Sequence, residues 1–545
     1  MPDEPTRRRL PGWVLPAAAG LASVILALGI AELAAAIFAP HASPVLVVGS
    51  QLIDWAPAWA KQTAIALFGT GDKTALLTGI AIALVVVAGA AGALEHWKPP
   101  IGRIIFGAAG VFGVGAAIAR SGSSPFDIIP AGVATVVALI ALGYLLRKLD
   151  ERPRPRPINP ATLRATGSVR APSTATAEAA AAQRAEADRV SRRRFLGLTG
   201  GAVVVGALTT LGGYALEAGA RAAAAARNAL KLPAPTVRAD AVPAGAELDI
   251  PGLAKVVSSN DTFYRIDTAL QIPQLDPTLW ELKITGMVEK PVTITFAELL
   301  ALPLEESYTT LMCVSNEVGG SLIGNAKWLG YPIRHLLERA HPKAGADMVF
   351  SHSSDGFTAS TPLSVLQEDD RNAILAVGMN GHPLPPEHGY PVRMVVPGLY
   401  GYVSATKWVV ELEVTRFADH SAYWTERGWS SHGPVKLESR IDVPRAGASV
   451  KAGTVVVAGV AWRQHVGIQG VEVRVDGGAW SAAQLATAIS ADTWVQWRWE
   501  WDAPTGPHQL EVRATDLSGA IQTSDQADTV PNGATGYHLI QVNVG

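Results

Sequence analysis

Cys313 is the only cysteine among 545 residues, so it has no partner for an internal disulfide. It follows an apolar run, Tyr308 to Met312, and precedes a polar, glycine-rich turn, Ser315-Asn316-Glu317-Val318-Gly319-Gly320. That pattern predicts a thiol at the end of a strand as the backbone enters a loop, where a scaffold displays a reactive group. A free cysteine in isolation reads as a small buried hydrophobe; its surroundings argue for more. A second stretch supplies cations: His382-Pro-Leu-Pro-Pro386, His388-Gly-Tyr-Pro-Val-Arg393, Val395-Val-Pro-Gly398 and Ala405-Thr-Lys-Trp408. A histidine, an arginine and a lysine on glycine- and proline-rich loops beside a strand are what an anionic ligand requires.

These residues need a scaffold, and residues 236–420 show mixed helix and strand signals. Leu279–Val288 alternates like a strand, Thr295–Leu302 reads as a short helix opened by a threonine cap, and Tyr331–Ala340 reads as another helix. Further on, Thr454–Trp462, Val471–Val475, Trp494–Trp501, His508–Thr515 and Tyr537–Val544 are strand-like runs separated by turns such as Asp476-Gly477-Gly478. Short, regularly spaced strands without helix suggest an immunoglobulin-like β-sandwich over 421–545.

The N-terminal part is of another kind. The chain is 48% hydrophobic with a net charge of −2, too apolar for a soluble enzyme of this length and without the basic face a nucleic-acid partner would need. Trp13–Phe38, Thr74–Leu94, Ile104–Ala119 and Ile128–Leu146 are uncharged runs able to cross a hydrocarbon core of ~30 Å, or nearly so with snorkelling flanks. They define a four-helix transmembrane region, 1–147, and residues 39–73 between the first two read as a partly interfacial loop. Residues 148–190, rich in proline, arginine and alanine, read as an extended cytoplasmic linker. Residues 191–217 begin Ser191-Arg192-Arg193-Arg194-Phe195-Leu196 and continue as a fifth apolar run, Phe195–Leu216. This resembles a twin-arginine export signal that stays as a transmembrane anchor. Arg7–Arg9, the Lys98/Arg103 loop and the linker share one side if four helices precede the linker, which puts everything beyond Leu216 on the extracytoplasmic face of the cell membrane. The four helices hold no histidine pair suited to haem b and read as an anchor or a docking site for a redox partner.

Asn260 with Phe263 and Tyr264, Leu311-Met-Cys-Val-Ser-Asn316, Trp328-Leu-Gly330, His388-Gly-Tyr-Pro-Val-Arg393 and Lys407-Trp408, in this order, resemble the sulfite oxidase family of molybdopterin-dependent oxidoreductases. The resemblance covers roughly residues 250–545 and implies an α+β molybdopterin domain at 236–420, followed by the sandwich as a dimerisation domain. It implies Cys313 as the thiolate ligand of molybdenum, a soft donor suited to such a centre, with one molybdopterin per chain. Asn260, Phe263, Tyr264, Asp355, His388, Arg393, Ser404, Ala405 and Lys407 then match positions that hold the pterin and its phosphate. Lys407 and Trp429 join Cys313 as catalytic candidates, Trp429 standing where sulfite oxidases have a tyrosine. Glu317 and Val318 replace paired arginines, and an upstream substrate arginine falls nearest Ile266, with Arg265 one place off. A dianion pocket should not exchange cations for a carboxylate, so the expected reaction is oxygen-atom transfer on a small sulfoxide, N-oxide or oxyanion other than sulfite.

With no haem or flavin motif in the chain, electrons must pass to or from a quinone or a cytochrome. The rival reading is a non-catalytic surface module for binding or adhesion built on a degenerate cofactor fold; the cysteine and pterin-contact pattern together favour the enzyme. The export signal yields a direct prediction. Replacing Arg192-Arg193 with two lysines keeps the charge but should stop translocation of the folded domain, measured by surface proteolysis; normal exposure of residues 230–545 would leave only a positive-flank role for the arginines.

Overall fold

A computed structural model of the chain describes residues 11–39, 42–57, 60, 63, 67–68, 72–119, 125–150, 193–211, 227 and 229–545. The chain divides into two compact units, Met1–Ala218 and Gly219–Gly545.

Among the described residues of the first unit, five helices are long and apolar enough to cross a membrane: Val14–Phe38, Lys73–Trp97, Ile101–Ile118, Pro125–Asp150 and Arg193–Leu211. Apolar surface drives no association within lipid, so such helices pack through small residues that let backbones touch. Gly20 and Gly92 provide this contact: a Cβ on Gly20 would lie 2.1 Å from the Ala88 carbonyl oxygen, and one on Gly92 2.2 Å from that of Pro16. Glu95, 2% exposed, is neutralised locally by the Arg103 guanidinium at 2.9 Å and also accepts the Arg103 backbone N–H at 3.0 Å. The expected interfacial loop is in part a helix, Pro44–Trp55. Proline at its first turn sets φ for a helix start, and Val47 packs with Ala42, Ala116 and Ala117. The linker at 148–190 lies almost wholly outside the described residues, as do Ser191, Arg192 and residues 212–216; the fifth helix is described from Arg193.

The second unit contains two five-stranded sheets that carry the loops of interest. The first runs in the order Val292–Thr295, Glu281–Gly286, Val409–Thr415, Met348–Ser353, Thr358–Pro362, mixed because Glu281–Gly286 pairs in parallel with Val409–Thr415. The second runs Glu305–Met312, Ile323–Pro332, Ile374–Met379, His382–Pro383, with Arg393–Val395 also paired to Ile374–Met379. Thr295 opens the helix Phe296–Ala301 with a reciprocal cap, its hydroxyl accepting from the Glu298 N–H while the Glu298 carboxylate accepts from the Thr295 N–H. The next helix starts at Ile333 rather than Tyr331, because Tyr331 and Pro332 finish a strand. Leu282, Ile284, Leu299, Ile333, Leu336 and Val414 are buried in the common core.

Beyond residue 437 the chain forms a β-sandwich. One sheet is ordered Glu438–Val443, Gly453–Trp462, Val495–Ala503, Gln484–Leu485; the other Ser449–Val450, His538–Val544, Gly506–Asp516, Ile468–Val475, Ser481–Ala482. Alternate residues of Gly506–Asp516 face inward, so Leu510, Val512 and Ala514 meet Val457, Val473 and Trp497 in a separate core. The Glu438–Val443 strand escapes a sequence reading because both its faces are buried over residues 438–441, Glu438 and Arg440 on the face opposite Ile441, and hydrophobic alternation cannot flag that.

The sandwich grips the strand that leads to Cys313. Thr310 donates its N–H to Asp492 O at 3.0 Å, its carbonyl accepts from Gln464 Nε2 at 3.2 Å, and its hydroxyl accepts the Trp494 N–H at 2.9 Å. Arg440 Nη1 donates to Gly320 O at 2.7 Å, and the His538 ring sits 2.2 Å from where a Cβ on Gly319 would be. His538 Nδ1 accepts the Ile441 N–H at 3.0 Å, which requires a neutral ring at that nitrogen. Burial, with the Arg440 charge beside it, pushes its pKa down to about 4. The folded form therefore binds fewer protons than the unfolded one between about pH 4 and the ordinary histidine value near 6.5. Stability from this residue is fully present above that value and is lost as pH falls through about 4. We predict that urea unfolding of the protein, followed by tryptophan fluorescence, loses about 2 kcal/mol relative to His538→Gln as pH drops from 6.5 to 4; parallel stability curves for the two would contradict it.

Candidate active site

Cys313 is the first residue after the Glu305–Met312 strand. Its N–H donates to Leu322 O at 2.9 Å, and its carbonyl accepts the Asn316 N–H at 3.1 Å. The Asn316 side-chain oxygen accepts the Leu322 N–H at 2.7 Å, so the loop is closed on itself. Gly319, at φ +79°, makes the reversal a side chain would resist. Cys313 is 8% exposed. Burial pushes its pKa up, against the pull of hydrogen bonds from Ser315 and the charge of Lys407. A protonated, desolvated thiol of this kind must give up its proton to become a metal ligand, which ties metal binding to proton release.

The thiol faces a cavity whose walls include Phe263, Tyr264, Asp355, His388, Arg393, Ala405, Lys407 and Trp429. Nine of the residues expected from the sequence, Cys313 among them, thus come together from six separate chain segments. Two do not line it. Ser404 is wholly buried, and its hydroxyl donates to Tyr400 O at 2.9 Å inside its own helical turn. Asn260 lies behind the wall: its side-chain oxygen accepts from Asn380 Nδ2 at 2.8 Å, and its carbonyl accepts from His388 Nε2 at 3.0 Å. It orients the histidine, whose pKa burial lowers to about 4 despite that bond. Gly389, at φ +108°, brings His388 and Arg393 onto the same side; a Cβ there would lie 3.0 Å from that of Arg393 and 3.1 Å from that of Lys407.

Arg393 is the feature that most constrains a ligand. The residue is 5% exposed, and among the described residues its guanidinium donates only to carbonyl oxygens, those of His388 at 3.2 Å, Met394 at 3.3 Å and Ala405 at 3.4 Å. It lies over the Trp328 ring at 5.1 Å, and burial brings its pKa down to about 10. Among the described residues no carboxylate pairs with it. A buried cation held by long, neutral contacts is costly unless an anion completes the site. The donor set therefore fits a cofactor that carries a soft metal at one point and an anionic group at another: Cys313 for the metal, Arg393 for the anion, and the Phe263 and Tyr264 rings, 5.2 Å apart and stacked, as an apolar wall.

Lys407 is engaged differently. Its Nζ donates to Asp267 Oδ2 at 2.7 Å and to Glu387 O at 3.0 Å, and the same carboxylate oxygen accepts from Arg265 Nε at 3.0 Å. Asp267 was not legible in the sequence, since it stands in an aperiodic segment 140 positions before Lys407. Tyr402 and Trp424 also line the cavity without having been singled out. Glu317 is exposed, and neither it nor Val318 lines the cavity, whereas Ile266 does. The acids on the cavity wall are Asp267 and Asp355.

The model of the oxidoreductase molybdopterin binding domain matches residues 269–424, and that of the bacterial Ig domain residues 438–512. The uncharacterized oxidoreductase YuiH of Bacillus subtilis is 34% identical over 158 residues, 29% of this chain and 76% of that protein. Human mitochondrial sulfite oxidase is 27% identical over 307 residues, 48% of this chain and 56% of the enzyme; the chain thus spans little more than half the length of that relative. The sulfane dehydrogenase SoxCD of Paracoccus pantotrophus aligns over 53% of this chain and 81% of its own at 24% identity, with a TM-score of 0.47.

Fold, cavity and relatives together define a molybdopterin-dependent oxidoreductase joined to an Ig-like β-sandwich. The chain belongs to the sulfite oxidase family, and that membership implies a molybdenum cofactor. We predict that Cys313→Ser, which exchanges a soft donor for a hard one, abolishes turnover and leaves less than about a tenth of the molybdenum bound at an unchanged melting temperature. Full turnover by the serine variant would remove Cys313 from the chemistry.

Proposed function

We propose that this protein is a membrane-anchored enzyme that transfers an oxygen atom between water and a neutral sulfur or nitrogen centre, of sulfoxide or N-oxide type, with sulfite a poor substrate. Two electrons and two protons balance each turnover, and the electrons pass to or from a quinone or cytochrome. The observation that carries this reading is the division of charge in the cavity. Arg393 has no carboxylate partner among the described residues and suits the cofactor's phosphate, while Lys407 is tied to Asp267 and the remaining wall is largely aromatic.

When bound at Cys313, the molybdenum centre supplies two-electron oxygen-atom transfer. The protein's own groups do the rest. Phe357, Tyr402, Trp424 and Trp429 line the cavity, offering apolar surface to alkyl or aryl substituents and keeping water from the metal side. The Trp429 ring is fixed between Tyr402 at 5.9 Å and Trp424 at 6.3 Å, and Tyr402 donates its hydroxyl to Ser430 O at 2.7 Å, which locks that wall. Burial drives the Tyr264 phenol far above its ordinary pKa, so its oxygen keeps a proton at working pH and can donate to a substrate oxygen. His388, neutral at that pH, remains a donor to the Asn260 carbonyl rather than a charge in the site.

Five apolar helices among the described residues and the arginine pattern of the sequence support an anchored protein with residues 236–420 and 421–545 on the extracytoplasmic face, and the sandwich offers a surface for homodimerisation. The assignments of Phe263, Tyr264, Asp355, His388, Arg393 and Ala405 to the pterin, and of Trp429 to substrate turnover, belong to this proposal, with Asn260 and Ser404 supporting the wall from behind and Lys407 acting through its pair with Asp267. Each charge-assisted hydrogen bond withheld from an oxyanion forfeits about 1.5–3 kcal/mol, so two should weaken sulfite binding by two or more orders of magnitude. Steady-state kcat/KM with dialkyl sulfoxides and tertiary amine N-oxides against a reduced dye should exceed that for sulfite against an oxidised one; a sulfite value at or above the others would reject the reading.

A further inference from the structure

Asp267 has a side chain 3% exposed and a place on the cavity wall between Ile266 and Thr268. One of its carboxylate oxygens receives two cations, Lys407 at 2.7 Å and Arg265 at 3.0 Å. Lys407 is itself nearly buried, at 9%, whereas Arg265 is 29% exposed. The cavity wall holds a second acid, Asp355, whose Oδ1 accepts the Phe357 N–H at 3.1 Å and whose Oδ2 accepts from Thr268 Oγ1 at 3.4 Å. Charges on the wall therefore balance: Arg393 and Lys407 against Asp267 and Asp355, with His388 neutral. In a site of low dielectric, an ion pair already formed gives an incoming dianion little net attraction, and breaking it costs more than it would in water. A neutral ligand faces neither penalty.

We propose that Asp267 is the specificity-determining residue of this cavity: by engaging Lys407 and Arg265 on one carboxylate it withholds both cations from oxyanions and leaves a neutral substrate the better occupant. This rests on the reading of the cavity as the substrate site given above, and it adds the residue that makes the choice. Asp267→Asn keeps the shape and a hydrogen-bond acceptor but removes the charge, releasing Lys407 on the cavity wall and Arg265 beside it from their shared carboxylate.

The test uses the full-length holoenzyme and sulfate, an inert divalent oxyanion, titrated calorimetrically and as an inhibitor of sulfoxide reduction, with molybdenum content and melting temperature measured for each variant. Sulfate affinity should rise at least about tenfold in Asp267→Asn, stay at the wild-type value in Asp267→Glu, and fall back in part when Arg265→Gln is added to Asp267→Asn. Unchanged sulfate affinity in a folded, loaded Asp267→Asn overturns the proposal, while the wild-type preference for sulfoxides over sulfite, measured separately, decides the functional reading. If Asp267→Asn does not fold or load, Arg265→Gln alone decides: both cations being already withheld, it should change sulfate affinity less than about twofold, and a tenfold loss overturns the proposal.

Discussion

The loop from Cys313 to Leu322 must hold one thiol in a fixed place, and the second unit is built so that two cores share that task. From one side the Glu305–Met312 and Ile323–Pro332 strands pair directly around the loop, with Asn316 closing it from within. From the other, the β-sandwich reaches in through Arg440, Gln464, Asp492, Trp494 and His538. A loop left to itself would sample many conformations at a cost of about 1–2 kcal/mol per ordered residue. Here that entropy is offset before any cofactor arrives, as a preorganised site requires. The sandwich is thus part of the active-site scaffold as well as a domain with its own core.

The same constraint explains why the charges are placed as they are. Burying a guanidinium without an acid, as at Arg393, is tolerable in a protein whose folded state awaits an anion. Pairing Lys407 with Asp267 is the opposite choice, since a buried ion pair is neutral to its surroundings and resists being opened. Two cations in one cavity therefore have different roles set by a single carboxylate. Phe357, Tyr402, Trp424 and Trp429 add apolar surface to the same cavity wall.

Much of this was legible in the sequence where a local signal existed. The apolar run Tyr308 to Met312 announced a strand and a loop at Cys313, Thr295 announced a helix start, and the strand-like run His508–Thr515 announced the strand Gly506–Asp516. The cavity's composition followed from motifs whose order resembles a known family, since no periodicity connects residue 263 with residue 429. Signals failed where the determining contact is long-range and polar. Asp267 gains its meaning only beside Lys407, Arg440 and Glu438 disguise a buried strand as a charged one, and Glu317 suggested a negative cavity from a position that faces solvent. The helix Pro44–Trp55 was obscured by its length, too short to span and bordered by polar residues.

The account stands or falls on whether the Cys313 thiolate binds the metal. Molybdenum K-edge absorption of the purified wild-type protein and of Cys313→Ser, loaded with cofactor under the same conditions, tests it most directly. The account predicts that the serine variant, in whatever fraction retains metal, loses a sulfur neighbour from the molybdenum shell relative to the wild type. An identical sulfur shell in the two proteins would contradict it.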